Sequence, residues 1–443
     1  YKSDMAVRNV EIRCGQSQPP IPTPCAPLSP PNISPPQLPP EPIAPPSPPQ
    51  VPPSPLPPGE IRVATVTSLR AELAASGHSG GGEIKLHLVE GHVYELSGED
   101  LTVNSSSAHF VLGRRLNSEP PSDQLLISIV SEGRGAVLDG GGISRIFSLG
   151  DTDAGSATIL TLCNIHLTGG YAGVPGSVTR SSIDNSGGAI RVRGRGCAIT
   201  LDHCTMWNFS VASDGGAIYL GDQTSAVLRN CTISACQSGH SSGAVDATNA
   251  SLLLQETTIA DCTSLATTSR GDTAAIRVSD ILGTLSCDRL ILRDVQSLGD
   301  VIRIAGGANA TIVSSEVFNI SLNGAGYRSI LSVGTTGFLS SVVLARSAFR
   351  NVTTVTGTNS NGISSRSGCR VTVIQCSFQS ISISRSAAGY VISRSANAFL
   401  CFIGCSFTDL RTVSHMGGAF YIEGGHLAVT GCLIERCEST KEG

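Results

Sequence analysis

SGGAI at 186–190, DGGAIYL at 214–220, SGAV at 242–245 and GGAFYI at 417–422 are variants of one word. Taking the apolar residue after the alanine as a marker gives the column Ile190, Ile218, Val245, Ile276, Ile302, Ile330, Ile363, Val391 and Phe420. The steps are 28, 27, 31, 26, 28, 33, 28 and 29 residues, a period in the range of solenoids and arrays. A second column accompanies the first: LDHCTM (201–206), LRNCTI (228–233), LQETTI (254–259), LARSAF (344–349), VIQCSF (373–378), FIGCSF (402–407) and VTGCLI (429–434). Within each repeat, short alternating apolar and polar runs are separated by Gly, Ser, Asn and Asp, which is the pattern of strands and turns. One repeat cannot bury its own apolar face, but stacked repeats can, with like residue over like at about 4.8 Å. The Gly-Gly supplies a tight corner, and Ala and Ile then enter a narrow core. The expected fold is all-β, a right-handed single-stranded parallel β-helix of about eleven coils over residues 83–443.

Composition agrees with a thin stacked core. Of 443 residues 49 are Gly, aromatics are 4% and charged residues 14%, with a net charge of −4. No basic, aromatic-interleaved patch suggests nucleic acid, and no apolar run is long enough to span a bilayer. Neither partner is expected.

Three segments precede the repeats. Residues 1–18 contain MAVRNVEIRC (5–14), in which Met5, Val7, Val10 and Ile12 read as a short strand with no nearby partner. Residues 19–59 form a Pro-rich arm that holds 21 of the 24 prolines. Proline locks φ and removes a donor, so polyproline II is expected, either as a passive spacer or as a tether. Residues 60–82 contain VTSLRAELAASG, where Thr67 or Ser68 starts a helix, Leu69 and Leu73 share a face and Gly77 ends it, capping the solenoid.

The fifteen cysteines and eight N-x-S/T sequons point to a secreted, oxidised, glycosylated chain. Extracellular localisation at a wall, cell surface or fibril is therefore expected. The sequons are Asn32, Asn104, Asn208, Asn230, Asn249, Asn309, Asn319 and Asn351; Asn208 and Asn230, at strand ends, are expected to be shielded, and Asn104, Asn249, Asn309 and Asn351 rank ahead of them as glycan carriers. Cys14 and Cys25 are near enough to close a small loop. Cys204 with Cys231, Cys236 with Cys262, and Cys376 with Cys405 fall in columns of adjacent coils. They can staple coils as disulfides or form a ladder of buried thiols.

The helix followed by IKLHLVEGHVYELSGEDLTV (84–103) and AVLDGGGISRIFSL (136–149) resembles the pectin-lyase-like right-handed β-helix superfamily. The recurrent GGAI with NCTI-type words is similar to repeats of chlamydial polymorphic outer-membrane proteins and algal extracellular β-helix proteins. The Ser-Pro and Pro-Pro units of the arm resemble the hydroxyproline-rich glycoproteins of plant and volvocine green-algal walls, which implies O-glycans on Pro and Ser beside the N-linked ones. The superfamily implies this fold but spans lyases, hydrolases, adhesins and structural proteins.

Superfamily enzymes acting on pectins carry clustered Asp, Gly-His-Gly or calcium-binding carboxylates. Here Asp151 and Asp153 form an isolated pair, Asp139 reads as a turn residue, and Asp202 and His203 are adjacent in a strand and so face opposite ways. EGGHLAV (423–429) offers Gly-Gly-His instead. No catalytic residue, metal ligand or cofactor is assigned, although carboxylates from different coils can converge unseen. The expected function is a non-enzymatic structural glycoprotein of an extracellular fibril or wall layer, its copies joined head-to-tail through the N-terminal arm. The alternative is a pectin- or alginate-type lyase, a glycoside hydrolase, or an adhesin or carbohydrate-binding module.

Overall fold

The computed structural model describes residues 7–8, 11–13, 60–76, 82–96, 101–103, 125–150, 157–172, 185–265, 273–323, 327–334, 339–354, 359–366, 368–384, 386–391, 398–413 and 418–439. Met5, Val10, Cys14, Cys25, Asn32, Asn104, Asp151, Asp153 and the Pro-rich arm lie outside them.

Three long parallel sheets run the length of a β-helix, a 14-stranded first sheet, a second of 15 strands and an 11-stranded third, with one third-sheet strand per coil. A fourth sheet of four two-residue strands, from Tyr171–Ala172 to Thr263–Ser264, widens the coils near the middle. Parallel crossovers of this kind are right-handed in nearly all proteins.

The repeat words map onto this path. In the register of the third sheet Ile190 pairs with Ile218, Ile218 with Val245, Val245 with Ile276 and Ile276 with Ile302. The column then continues through Leu331, Ile363, Gly389 and Phe420. Leu331 and Gly389 thus replace Ile330 and Val391 of the sequence alignment. The second shift lies at an irregularity between Asn361 and Ile363, where the partner strand from Ser386 to Gly389 carries one extra residue. The two glycines of the word do different work. Gly187 and Gly215 have φ of 71° and 67°, conformations that cost other residues strain. A Cβ on Gly188 would stand 2.6 Å from the Gly216 carbonyl oxygen of the next coil, so the second glycine permits close stacking.

The bend from first to second sheet is a single left-handed residue, repeated at Asn164, His203, Asn230, Glu256, Arg289, Ser314, Arg346, Gln375, Gly404 and Gly431. A second such corner runs through Asn208, Ala235, Asp261, Asp294, Asn319, Asn351, Ser380, Asp409 and Arg436. Asparagine tolerates this conformation better than most residues, and five of the eight sequon asparagines occupy left-handed positions at the turns, counting Asn249 before the first sheet.

The residue after the first corner points into the core and is Cys, Ser or Thr in eight coils: Cys204, Cys231, Thr257, Ser315, Ser347, Cys376, Cys405 and Cys432. Each donates its S–H or O–H to the carbonyl two residues back, as from Ser347 Oγ to Ala345 O at 2.9 Å and from Cys376 Sγ to Ile374 O at 3.3 Å. It also accepts an amide from the preceding coil: Leu290 N to Ser315 Oγ at 3.1 Å, Ser315 N to Ser347 Oγ at 3.1 Å, Ser347 N to Cys376 Sγ at 3.4 Å and Cys405 N to Cys432 Sγ at 3.3 Å. Small S–H and O–H side chains therefore satisfy the amides that the bend strips from the sheet ladder, and add a second bond to carbonyls that already accept a corner amide, as Ala345 O does from Ser314 N at 3.0 Å.

The solenoid begins earlier than its repeats suggest. We number the first three strands β1 (Val7–Arg8), β2 (Glu11–Arg13) and β3 (Glu60–Val63). β3 pairs with Gly82–Leu88, and the helix Val66–Ser76 is inserted between them. Its cap is Thr65, not Thr67 or Ser68: Ser68 N donates to Thr65 Oγ1 and Thr65 N to Ser68 Oγ, both at 3.1 Å, a reciprocal capping pair. Leu69 and Leu73 seal the N-terminal end of the core.

Candidate functional sites: a buried polar row and a strand-closed end

In the third sheet the residue between the two core columns faces away from the core. Read in register, that row is Ser148, Arg191, Tyr219, Asp246, Arg277 and Arg303. An outward row is ordinarily solvated, yet Ser148, Arg191, Tyr219 and Asp246 are all buried. Arg277 Nη1 lies 3.3 Å from Asp246 Oδ2, and Thr248 Oγ1 donates to Asp246 Oδ1 at 3.2 Å. Arg191 Nη2 donates to Ser148 Oγ at 2.9 Å. Arg303 Nη1 sits 3.7 Å from the buried Asp300. Beside the row, Asp214 Oδ1 meets His240 Nδ1 at 2.8 Å.

The electrostatics follow from enclosure. Burial pushes the Asp246 carboxyl up to about 6; Arg277 opposes the rise and the nearby Asp214 carboxylate adds to it. Burial and the same two carboxylates push the Tyr219 phenol up to about 12. Two carboxylates from adjacent coils thus converge, with an imidazole and a guanidinium beside them. Such a set can bind a polar or charged chain or hold a proton near neutrality. Sequence reasoning assigned none of it. The only signal was that Tyr219, Asp246 and Arg277 fall on one repeat column, 27 and 31 residues apart.

The other candidates resolve differently. Asp139 is the turn residue expected, accepting the Gly141 amide at 2.8 Å. Asp202 and His203 do not face opposite ways: the left-handed corner at His203 breaks the alternation and brings Nδ1 to 3.0 Å from Asp202 Oδ1 on an exposed surface. Among the described residues no group of three or more His, Cys, Asp or Glu is placed to hold a metal ion, and no helix is long and apolar enough to cross a membrane.

Cys204 and Cys231 lie side by side as free thiols, as do Cys236 and Cys262, each S–H given to the carbonyl two residues back. Cys376 and Cys405 are also free and stacked, with Cys432 following Cys405. Asn208, Asn230, Asn309, Asn319 and Asn351 are exposed, so the expected shielding of Asn208 and Asn230 is absent. Asn249 is the half-buried one, its amide bonded to Asp222 and its carbonyl accepting Leu282 N at 2.9 Å.

The C-terminal end of the solenoid is closed by the chain's own beginning. β1 pairs in parallel with His426–Thr430, Val7 against Val429, and extends the first sheet. β2 pairs with Leu433–Glu435, Ile12 against Ile434, and extends the second. The strand read over residues 5–14 therefore has a partner within its own chain, and the last coil is not bare. The third sheet ends at Phe420–Ile422 with no added strand among the described residues, and Phe420, Ile422 and Ile434 are only partly buried there.

These features define a parallel β-helix protein with one buried polar row and one end completed by its N-terminus. No protein-family model matches the chain, and no curated protein does. It is similar to the solved structure of PfbA, a surface adhesin of Streptococcus pneumoniae (11% identity over 83% of this chain and 89% of that one, TM-score 0.37). It is also similar to a mannuronic acid specific polysaccharide family 6 lyase from human gut microbiota (10%, 87% and 92%, 0.34). A third likeness is to the A-module of the Azotobacter vinelandii mannuronan C-5 epimerase AlgE6 (14%, 85% and 95%, 0.25). At these identities and scores the likenesses decide nothing about activity.

Proposed function

We propose that the chain is a secreted, glycosylated, non-enzymatic structural subunit of an extracellular fibril or wall layer, whose copies join head-to-tail along the solenoid axis. The observation that carries this reading is the pairing of β1 and β2 with the final coil. It makes the C-terminal end a strand-accepting edge and the N-terminus its donor. Stacked coils bind only their neighbours, so a solenoid with an accepting end is suited to growth in one dimension. The sequons and the Pro-rich arm support a wall glycoprotein, with N-glycans on the exposed corner asparagines and O-glycans on the arm. Electron microscopy of the purified protein across a concentration series tests the proposal: filaments with an axial repeat near one subunit length are expected, and dispersed single subunits at every concentration would sink it.

A second reading rests on the polar row. Its part-exposed members Arg277 and Arg303, at neighbouring register positions about 4.8 Å apart, favour contact with an acidic polysaccharide, with the buried Asp246 and Tyr219 following in the same row. Affinity electrophoresis in polygalacturonate and alginate gels, with turnover assayed alongside, separates binding from catalysis. Retardation that Arg277→Ala abolishes is the expected sign of this second role.

A further inference from the structure

The closed end fixes the joint such a fibril would use. We propose that β1 and β2 exchange between copies: those of one chain pair with His426–Thr430 and Leu433–Glu435 of the next, in the register they hold within one chain. The monomer described above is then the self-capped form of the subunit. This inference rests on the head-to-tail reading and names its interface.

Three observations support it. First, both added strands are parallel to the strands they join. A donor from a second copy therefore keeps the polarity of the solenoid, and its own body continues along the same axis. The contact is heterologous and self-propagating, and exchange of an identical element is a low-cost route to assembly.

Second, the tether is long. β1 and β3 occupy opposite edges of the 14-stranded sheet, about 60 Å apart at ~4.8 Å per strand. Residues 14–59 between β2 and β3 can reach about 140 Å as polyproline II at ~3.1 Å per residue. Self-capping uses under half of that reach. When two copies abut, the accepting edge of one meets the β3 edge of the other, and the same tether has a shorter gap to cross. The strand-to-strand bonds are identical in the two arrangements. The balance is set by subunit concentration against the effective concentration of the tethered strand, millimolar or less for a span of this kind.

Third, self-capping leaves the end incomplete. Among the described residues two are added to the first sheet, three to the second and none to the third. Phe420 and Ile422 on the third sheet remain partly open, whereas Phe402 and Phe407 one coil earlier are fully buried. An abutting copy brings the helix Val66–Ser76, whose Leu69 and Leu73 close its own core, towards that uncovered edge.

Deleting residues 20–55 is the decisive perturbation. The ten linking residues left span at most about 35 Å fully extended, too short for self-capping and long enough for a neighbour. A photoreactive benzoylphenylalanine replaces Ile12, and unlabelled and nitrogen-15 subunits are mixed before irradiation. In the shortened protein, crosslinks from residue 12 to peptides of 426–439 are expected to be half mixed-isotope, with oligomers present. In the dilute full-length protein they are expected to be isotopically uniform. A shortened protein that stays monomeric, or gives no mixed crosslinks, overturns the exchange. As a check independent of that deletion, a chain lacking residues 1–25 must bind a free peptide of residues 1–18; no binding also overturns it. Full-length filaments carrying only same-chain crosslinks defeat strand exchange while leaving head-to-tail stacking intact. Mixed crosslinks in closed rings defeat the fibril and keep the exchange.

Discussion

Replacing Ser347 with alanine should open one corner of the solenoid and leave the rest closed. Ser347 is 4% exposed; its hydroxyl donates to Ala345 O at 2.9 Å and accepts Ser315 N at 3.1 Å. Alanine removes both bonds and admits no water; the Ala345 carbonyl keeps the Ser314 amide at 3.0 Å, but the buried Ser315 N–H loses the hydroxyl it donates to. One orphaned buried group costs about 1–3 kcal/mol. Taking about 2 kcal/mol for the site, the local opening equilibrium rises about 30-fold. Each coil is held by its neighbours alone, so the loss should stay near the two coils concerned. A single melting temperature is a poor readout for a solenoid of this length. Native-state amide exchange reads the site itself: Ser315 should lose about 30-fold protection, while the amide of Leu201, several coils away, keeps its own. Ser347→Cys retains a donor and an acceptor, as Cys376 does in the same column one coil on, and should restore protection to within a few-fold. Unchanged exchange at Ser315 in Ser347→Ala would refute the corner argument, as would equal loss in the cysteine variant.

Asp246 gives a pH dependence of defined sign. Its carboxyl is raised to about 6 in the fold against 3.8 in the open chain, so its contribution is fully present below about pH 4 and is lost as pH climbs through 6, by up to about 3 kcal/mol. Asp246→Asn should flatten that slope in denaturation series between pH 4 and 7, and an unchanged slope would count against the burial of this group. Cys376 and Cys287 should react only on unfolding, because burial raises Cys376 to about 11 and also raises Cys287 and only thiolate is reactive; recovery of Cys204–Cys231 linked peptides from secreted material would establish stapling at that pair. Glycan mapping by deamidation in heavy-oxygen water should find the exposed Asn208 and Asn309 occupied and Asn249 empty, since Asn249 is half-buried and both ends of its side chain are already bonded.

What could be read from the sequence divides along a physical line. The GGAI words were legible because two constraints act on adjacent residues, a left-handed turn at Gly187 and a carbonyl pressed against Gly188. Where those constraints relax, at Asn361 and Ile363, the word decays and the alignment slips to Val391 when the register needs Gly389. The corner cysteines were visible as a column, and LQETTI and LARSAF already put Thr257 and Ser347 in it; Ser315 and the reason for the equivalence were not visible, because that reason is a shared hydrogen bond that exists only once the preceding residue turns left-handed. The strand at Val7 and Ile12 showed in its alternation. Its partners at Val429 and Ile434 did not, since nothing local ties residues more than four hundred positions apart.

The polar row marks the limit of pattern reading in a solenoid. Alternation along Ile218, Tyr219 and Leu220, and along Val245, Asp246 and Ala247, assigns Tyr219 and Asp246 to the outer face correctly. The step from outer face to solvent is where the reading fails. In a single sheet the two are the same; here the outer face of the third sheet is covered, and Asp246 has 1% of its side chain exposed. An acid enclosed in this way is tolerated only with a partner, and Arg277 stands at the next register position to provide one. A chain that needed only a smooth stacked wall would fill that column with Ser, as it does at Ser332 and Ser364. Holding the charged Asp246 and Arg277 there costs more desolvation than the buried hydroxyls of Ser332 and Ser364 do, and this extra cost is the physical reason to test the row for a ligand even if the solenoid proves to be a structural subunit.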